Sequence, residues 1–200
     1  MSIKFDDSDL KKITDTFNDL KDINIVVKRT LNTTAKTAKV QTRKAIGKKL
    51  NLKAKRIGQD LTVTQASNKN WTSKVSCSSK QIGLINFASR QIKKGTKVKV
   101  YRQDQAKLYK HAFKENIKDK KHLWWRAKKR DIKQGAKTPK FSKNTGLVYR
   151  LPIVLLKGPA TVDILDDKDV LNPLLKQASI TLTENTDKEI NKRLRALKYR

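Results

Sequence analysis

Few side chains here could do acid–base or nucleophilic chemistry near neutral pH. The chain has two histidines, His111 and His122, and one cysteine, Cys77, with no nucleophile motif beside them. One cysteine and two histidines do not make an ordinary zinc site, and no glycine loop has the spacing that cradles phosphates. Asp163, Asp166, Asp167 and Asp169 cluster, but they lack the alternating spacing and glycine of a calcium loop. Acids ahead of a helix ordinarily compensate its dipole. Trp124 and Trp125, beside Arg126 and Lys128, could stack on bases. Adjacent strand residues point to opposite faces, however, which favours one buried indole and one facing a neighbouring subunit. These residues predict no enzyme, no cofactor and no bound metal.

Positive charge is what the chain has in abundance. Its 200 residues hold 48 Lys+Arg against 18 Asp+Glu, a formal net charge of +30. Self-repulsion on that scale calls for a polyanion or an acidic partner surface, and nucleic acid is the default. Six acids (Asp6, Asp7, Asp9, Asp15, Asp19 and Asp22) crowd the start, and between Ile23 and Gln103 the only acid is Asp60. The result is an acidic head, a basic body and a mixed tail. A lone cysteine excludes an internal disulfide and fits a reducing cytoplasm. No stretch approaches the ~20 apolar residues of a membrane span, so no membrane partner is expected. The opening MSIKFDDSDL is acidic and polar, unlike a signal peptide.

The elements that must position these charges are helical at both ends. Ser8 or Asp9 can cap a first helix with Leu10, Ile13, Phe17 and Leu20 on one face. A longer helix is predicted from about Ile25 to Ile46, stopped by Gly47. Its narrow seam is Val27, Leu31, Ala35, Ala38, Thr42 and Ala45, and Arg29, Lys36, Lys39 and Arg43 fall on the opposite side. That basic face is the candidate contact for phosphates or an acidic neighbour; its bland alternative is a solvated helix surface. Asn51 to Gly58 reads as a short third helix.

Strand signals follow: Leu61 to Gln65, Trp71 to Cys77, Ile82 to Phe87, Lys97 to Tyr101, and a hairpin from His111–Ile117 to His122–Ala127. Residues 128–144 read as an exposed basic loop. Leu147 to Ala160 is the longest apolar run, and its Tyr, Val and Ile favour a buried strand. Pro152 belongs at a strand start or sheet edge, and Gly158-Pro159 should turn the chain. Asn172-Pro173 reads as the start of a C-terminal helix, with Leu174 or Leu175, Ala178, Leu182, Ile190, Leu194 and Leu197 along it. The predicted fold is α+β: one domain over 1–200, with helices over about 1–58, a β-rich middle over about 60–158 and a helix over about 170–198. A central antiparallel sheet would have the long basic N-terminal helix and the C-terminal helix packed on it.

The order of several motifs resembles the prophage minor tail protein Z family. Ile82-Gly83-Leu84-Ile85-Asn86-Phe87-Ala88-Ser89-Arg90-Gln91, then Lys93-Lys94-Gly95 and Val98-Lys99-Val100, is similar to that family's central segment. His111-Ala112-Phe113, the arm to Trp125-Arg126, and Arg150-Leu151-Pro152-Ile153 ahead of Gly158-Pro159-Ala160 follow in the same order. The resemblance implies structural roles for Arg90, Gly95, Arg150, Leu151, Pro152, Ile153, Gly158 and Pro159. It also implies a virion protein of a long-tailed phage, a minor tail or tail-completion protein made in the host cytoplasm. Such a protein would form a ring at the head-proximal end of the tail and meet a tail terminator, tail tube or connector. Double-stranded DNA would then receive non-specific backbone contacts. The competing class is a free nucleic-acid-binding protein, ribosomal or nucleoid-like, acting as a monomer.

Overall fold

The computed structural model describes residues 2–5, 7–17, 19–117, 120–126 and 153–198. The chain folds as two compact units, each built from discontinuous stretches. The first holds Met1–Gly47, Ala54–Ser79 and Thr161–Arg200; the second holds Lys48–Lys53 and Lys80–Ala160. The class is α+β. Its described strands form three three-stranded antiparallel sheets, where a single central sheet had been expected.

In the first unit, β1 (Ser2–Ile3), β2 (Leu61–Thr64) and β3 (Ser73–Cys77) form a sheet with β3 in the middle. Five helices accompany it among the described residues: α1 (Asp7–Thr16), α2 (Leu20–Lys49), α3 (Ala54–Asp60), α4 (Val162–Leu165) and α5 (Lys168–Lys198). Asp19 starts α2: its carboxylate accepts the Lys21 N–H at 2.8 Å, and its carbonyl accepts from Asp22 and Ile23. Asp22 in the first turn and Lys48 and Lys49 in the last suit the helix dipole. Gly47 does not stop the helix, which runs on through Lys49.

The predicted seam is buried from Val27 to Thr42, except that Ala45 is half-buried and Ile46 takes the core position. Ile23, Val26, Thr30 and Thr34 widen the seam to two residues per turn. Ile3, Ile13, Phe17, Val75, Leu182 and Ile190 complete the core around it. Leu20 is 71% exposed because α1 ends before it and α2 begins on it, so it belongs to a different face from Ile13. Polar latches fix the register. Asn32 exchanges two hydrogen bonds with the Ala66 backbone, Trp71 donates to Asn24 at 2.9 Å, and Asn185 donates to Thr34 at 3.0 Å. The carboxylate of Asp22 is held by Arg193 through Nε, at 2.9 Å, and Nη2.

Helix α5 begins at Lys168, earlier than Asn172. Asp167 caps it by accepting the Asp169 N–H at 3.0 Å, so Pro173 lies inside the helix and the Asp169 carbonyl forgoes its usual partner. Ala178, Leu182, Thr186 and Ile190 are buried, whereas Leu194 and Leu197 are exposed because they lie beyond the last core position.

The second unit contains β4 (Ala88–Ile92), β5 (Gly95–Lys99) and β6 (Lys107–Lys110) in one sheet. A second sheet pairs β7 (Ala112–Ile117), β8 (Lys120–Arg126) and β9 (Ile153–Leu155). The expected His111–Ala127 hairpin is present as β7 and β8. Ile82 to Phe87 is not a strand: a 3-10 turn occupies Leu84–Asn86, and Gly83 bridges to Lys157. Leu50 and Leu52, expected in or beside the third helix, bridge instead to Tyr101 and Phe87. Leu50, Leu52, Ile82, Leu84, Phe87, Val98, Ala112 and Leu123 are buried there. The long apolar run contributes a short edge strand, β9, described from Ile153 onward. Arg150, Leu151, Pro152 and the basic loop 128–144 lie outside the described residues.

Candidate nucleic-acid interface

Arg29 and Lys36 are exposed on α2, and Lys39 and Arg43 are half-buried. Their positions follow from the helix: burying Val27, Leu31, Ala35 and Ala38 leaves the opposite face to these four. Arg43 lies against α3, where a Cβ on Gly58 would stand 3.9 Å from its Cδ. Exposed Val40 shares the face.

Charge is divided unevenly between the two units. The stretches forming the first carry 22 Lys+Arg against 14 Asp+Glu, those forming the second 26 against 4. The formal net charges are therefore +8 and +22. Part of the first unit's acid is matched internally, by Asp22 with Arg193, Asp60 with Arg56 and Asp187 with Lys12. The acidic head thus serves the fold of its own chain in at least one place, Asp22.

The residues that carry the resemblance fall largely in the second unit. Gly95 has φ +146, a conformation side chains rarely adopt; a Cβ there would collide with the Tyr109 carbonyl oxygen and stand 3.0 Å from Lys110 Cα. At Gly158 a Cβ would stand 2.9 Å from both Leu84 and Phe87. The Gly158 N–H donates to the Ile82 carbonyl at 2.7 Å, and the Pro159 carbonyl accepts the Ile82 N–H at 3.5 Å. Arg90 is different: it is exposed on β4, opposite Lys97 on β5.

The chemistry-bearing residues are not drawn together. His111 sits exposed in the turn before β7 with φ 62, its N–H donating to the Lys94 carbonyl. His122 stands opposite Glu115, with its ring edge-on to Trp124 at 5.6 Å between centroids. Trp124 and Trp125 do point to opposite sheet faces, paired with Phe113 and Ala112 respectively, but both are half-buried. The Cys77 thiol donates to the Thr161 hydroxyl at 3.1 Å, and that hydroxyl lies 3.3 Å from the Ser78 carbonyl. Burial pushes the Cys77 thiol up, the Asp60 carboxylate adds to this, and the Thr161 hydrogen bond opposes it. Such a thiol stays protonated at neutral pH and is a poor nucleophile. Of the four-aspartate cluster, Asp167 is the α5 cap, and among the described residues no three His, Cys, Asp or Glu side chains converge as a metal would require. No described helix is long and apolar enough to cross a membrane.

No protein-family model, curated protein or solved structure matches the chain.

Proposed function

We propose that this protein is a structural, non-enzymatic component of a long-tailed phage virion, a tail-completion protein acting as an oligomer where tail meets head. The observation that carries this reading is local. The motifs running from Ile82 to Ala160 belong to one compact unit, and two of their glycines, Gly95 and Gly158, stand where a side chain would collide with neighbours. The motif order is therefore tied to a specific backbone geometry and not to composition. A net charge of +22 on that unit suits a place beside the DNA path, where contact is to phosphates and needs no sequence reading. Arg29, Lys36, Lys39 and Arg43 are available to an acidic neighbour or to DNA. Uncovered Leu194 and Leu197, past the last core position of α5, suit a second copy of the chain.

Deleting the gene from its phage should leave heads and tails unjoined, with joining restored when the protein is supplied in trans. Light scattering should find an oligomer that the double substitution Leu194→Glu/Leu197→Glu reduces to folded monomers. Normal joined particles without the protein would overturn the reading. A wild-type monomer that binds nucleic acid tightly would favour the ribosomal or nucleoid-like class instead.

A further inference from the structure

We propose that one face of the β4–β5–β6 sheet is the protein's contact with the phosphate backbone of duplex DNA. The proposal rests on the reading above for the identity of the polyanion, while the surface itself is defined by strand register. Directly paired residues share a face, and residues two apart along a strand return to it. Ile92↔Gly95↔Lys110 makes one row, Arg90↔Lys97↔Leu108 the next, and Ala88↔Lys99 the third. Every row contributes a cation and none contributes an acid. Arg90, Lys97 and Lys110 are exposed and Lys99 is half-buried. The two-residue turn between β4 and β5 adds exposed Lys93 and Lys94 at one end. None of the six has an ion-pair partner among the described residues.

This arrangement works against the isolated sheet. Like charges directly opposite one another, as Arg90 and Lys97 are, destabilise a strand pair. A counter-charge brought by a ligand removes that cost. Rows are about 7 Å apart along the strands, a rise that one DNA strand covers in about two phosphates at 3.4 Å each. The face carries no aromatic ring, so it offers no platform for stacking unpaired bases. Tyr109 pairs with Thr96 on the other face, with the Lys107 ammonium 5.8 Å from its ring centroid. Charge alone, in rows and unpaired, matches a duplex backbone. The α2 face lies in the unit with only +8 and is left for a protein neighbour.

The test uses the full chain and a mixed-sequence duplex across a salt series. Arg90→Gln/Lys97→Gln/Lys99→Gln/Lys110→Gln is compared with Arg29→Gln/Lys36→Gln/Lys39→Gln/Arg43→Gln. Four phosphate contacts account for a slope of about −3.6 in log K against log salt. Between 50 and 200 mM salt, wild-type affinity should therefore fall by up to about 150-fold more than that of the sheet variant. The α2 variant should keep the wild-type slope. A wild-type slope in the sheet variant overturns the proposal, as does loss of slope only in the α2 variant, or tighter binding to single strands than to duplex. If wild type has no duplex affinity at low salt, the proposal also fails, while joining of heads to tails still tests the tail-completion reading separately. Should the fourfold sheet variant not fold, Lys93→Gln/Lys94→Gln in the turn carries the test, with about half the change in slope expected.

Discussion

Replacing Gly95 with alanine should be among the most damaging single-methyl changes in the protein. The residue sits at φ +146, where a non-glycine backbone costs about 1–3 kcal/mol. A further cost comes from space, because the new Cβ would run into the Tyr109 carbonyl, which is backbone and cannot rotate away. Relief requires pulling β6 from β5 at the Gly95↔Lys110 pair and disturbing the adjacent bond, 3.2 Å long, from the His111 N–H to the Lys94 carbonyl. Together these should destabilise the unit by about 3 kcal/mol or more, since strain and a lost ladder bond add. At about 2–4 °C per kcal/mol for a chain of this size, the melting temperature should drop by about 6–12 °C. Gly83→Ala is the matched control: φ there is −57, and a Cβ would meet nothing nearer than 3.7 Å. Its effect should stay within about 0.5 kcal/mol. Thermal and urea unfolding of both variants checks the argument. If the two melt together, neither the strained backbone nor the close approach at Gly95 is real.

Asp22→Asn should cost about 2–4 kcal/mol in chemical denaturation, because it leaves the partly buried Arg193 guanidinium without its carboxylate. Adding Arg193→Met should recover part of that loss, and strictly additive effects would deny the pairing. Deleting residues 1–22 should unfold the first unit, since Ile13 and Phe17 belong to its core; a cooperative melt at the wild-type temperature would contradict this. The raised pKa of Cys77 gives a signed expectation in pH. The thiol's contribution to stability is fully present below its ordinary value of 9.0 and is lost as pH rises through the folded value. Wild type should therefore lose stability against Cys77→Ala above that pH, and alkylation of the native thiol at pH 8 should be much slower than in denaturant. Parallel stability curves for the two proteins would refute the shift.

Local pattern decided much of this structure. The α2 seam was legible because 3.6 residues per turn puts Val27, Leu31, Ala35 and Ala38 on one line, which in turn fixes Arg29 and Lys36 outside. The strand holding Ser73 and Val75 inward with Lys74 outward was legible for the analogous reason at period two. Period failed where neighbours, and not the segment's own pattern, set burial. Leu194 and Leu197 continue the spacing of α5 but lie beyond the core, and Ile82 to Phe87 is apolar enough for a strand yet is used as a 3-10 turn. Gly47 and Pro173 mark helix ends by type, but α2 runs past Gly47, which lies between buried Ile46 and Leu50, and α5 starts at the Asp167 cap and so takes Pro173 inside. The candidate DNA face is the clearest case of what tertiary structure alone supplies. Arg90, Lys97, Lys99 and Lys110 come from three strands, and only the pairing register brings them to one side of a sheet while sending Lys107 to the other. Sequence determined the excess of positive charge, +30 over the chain; register decided which side of which sheet presents it, because a slip of one residue in any one strand would turn that strand's cations to the other face.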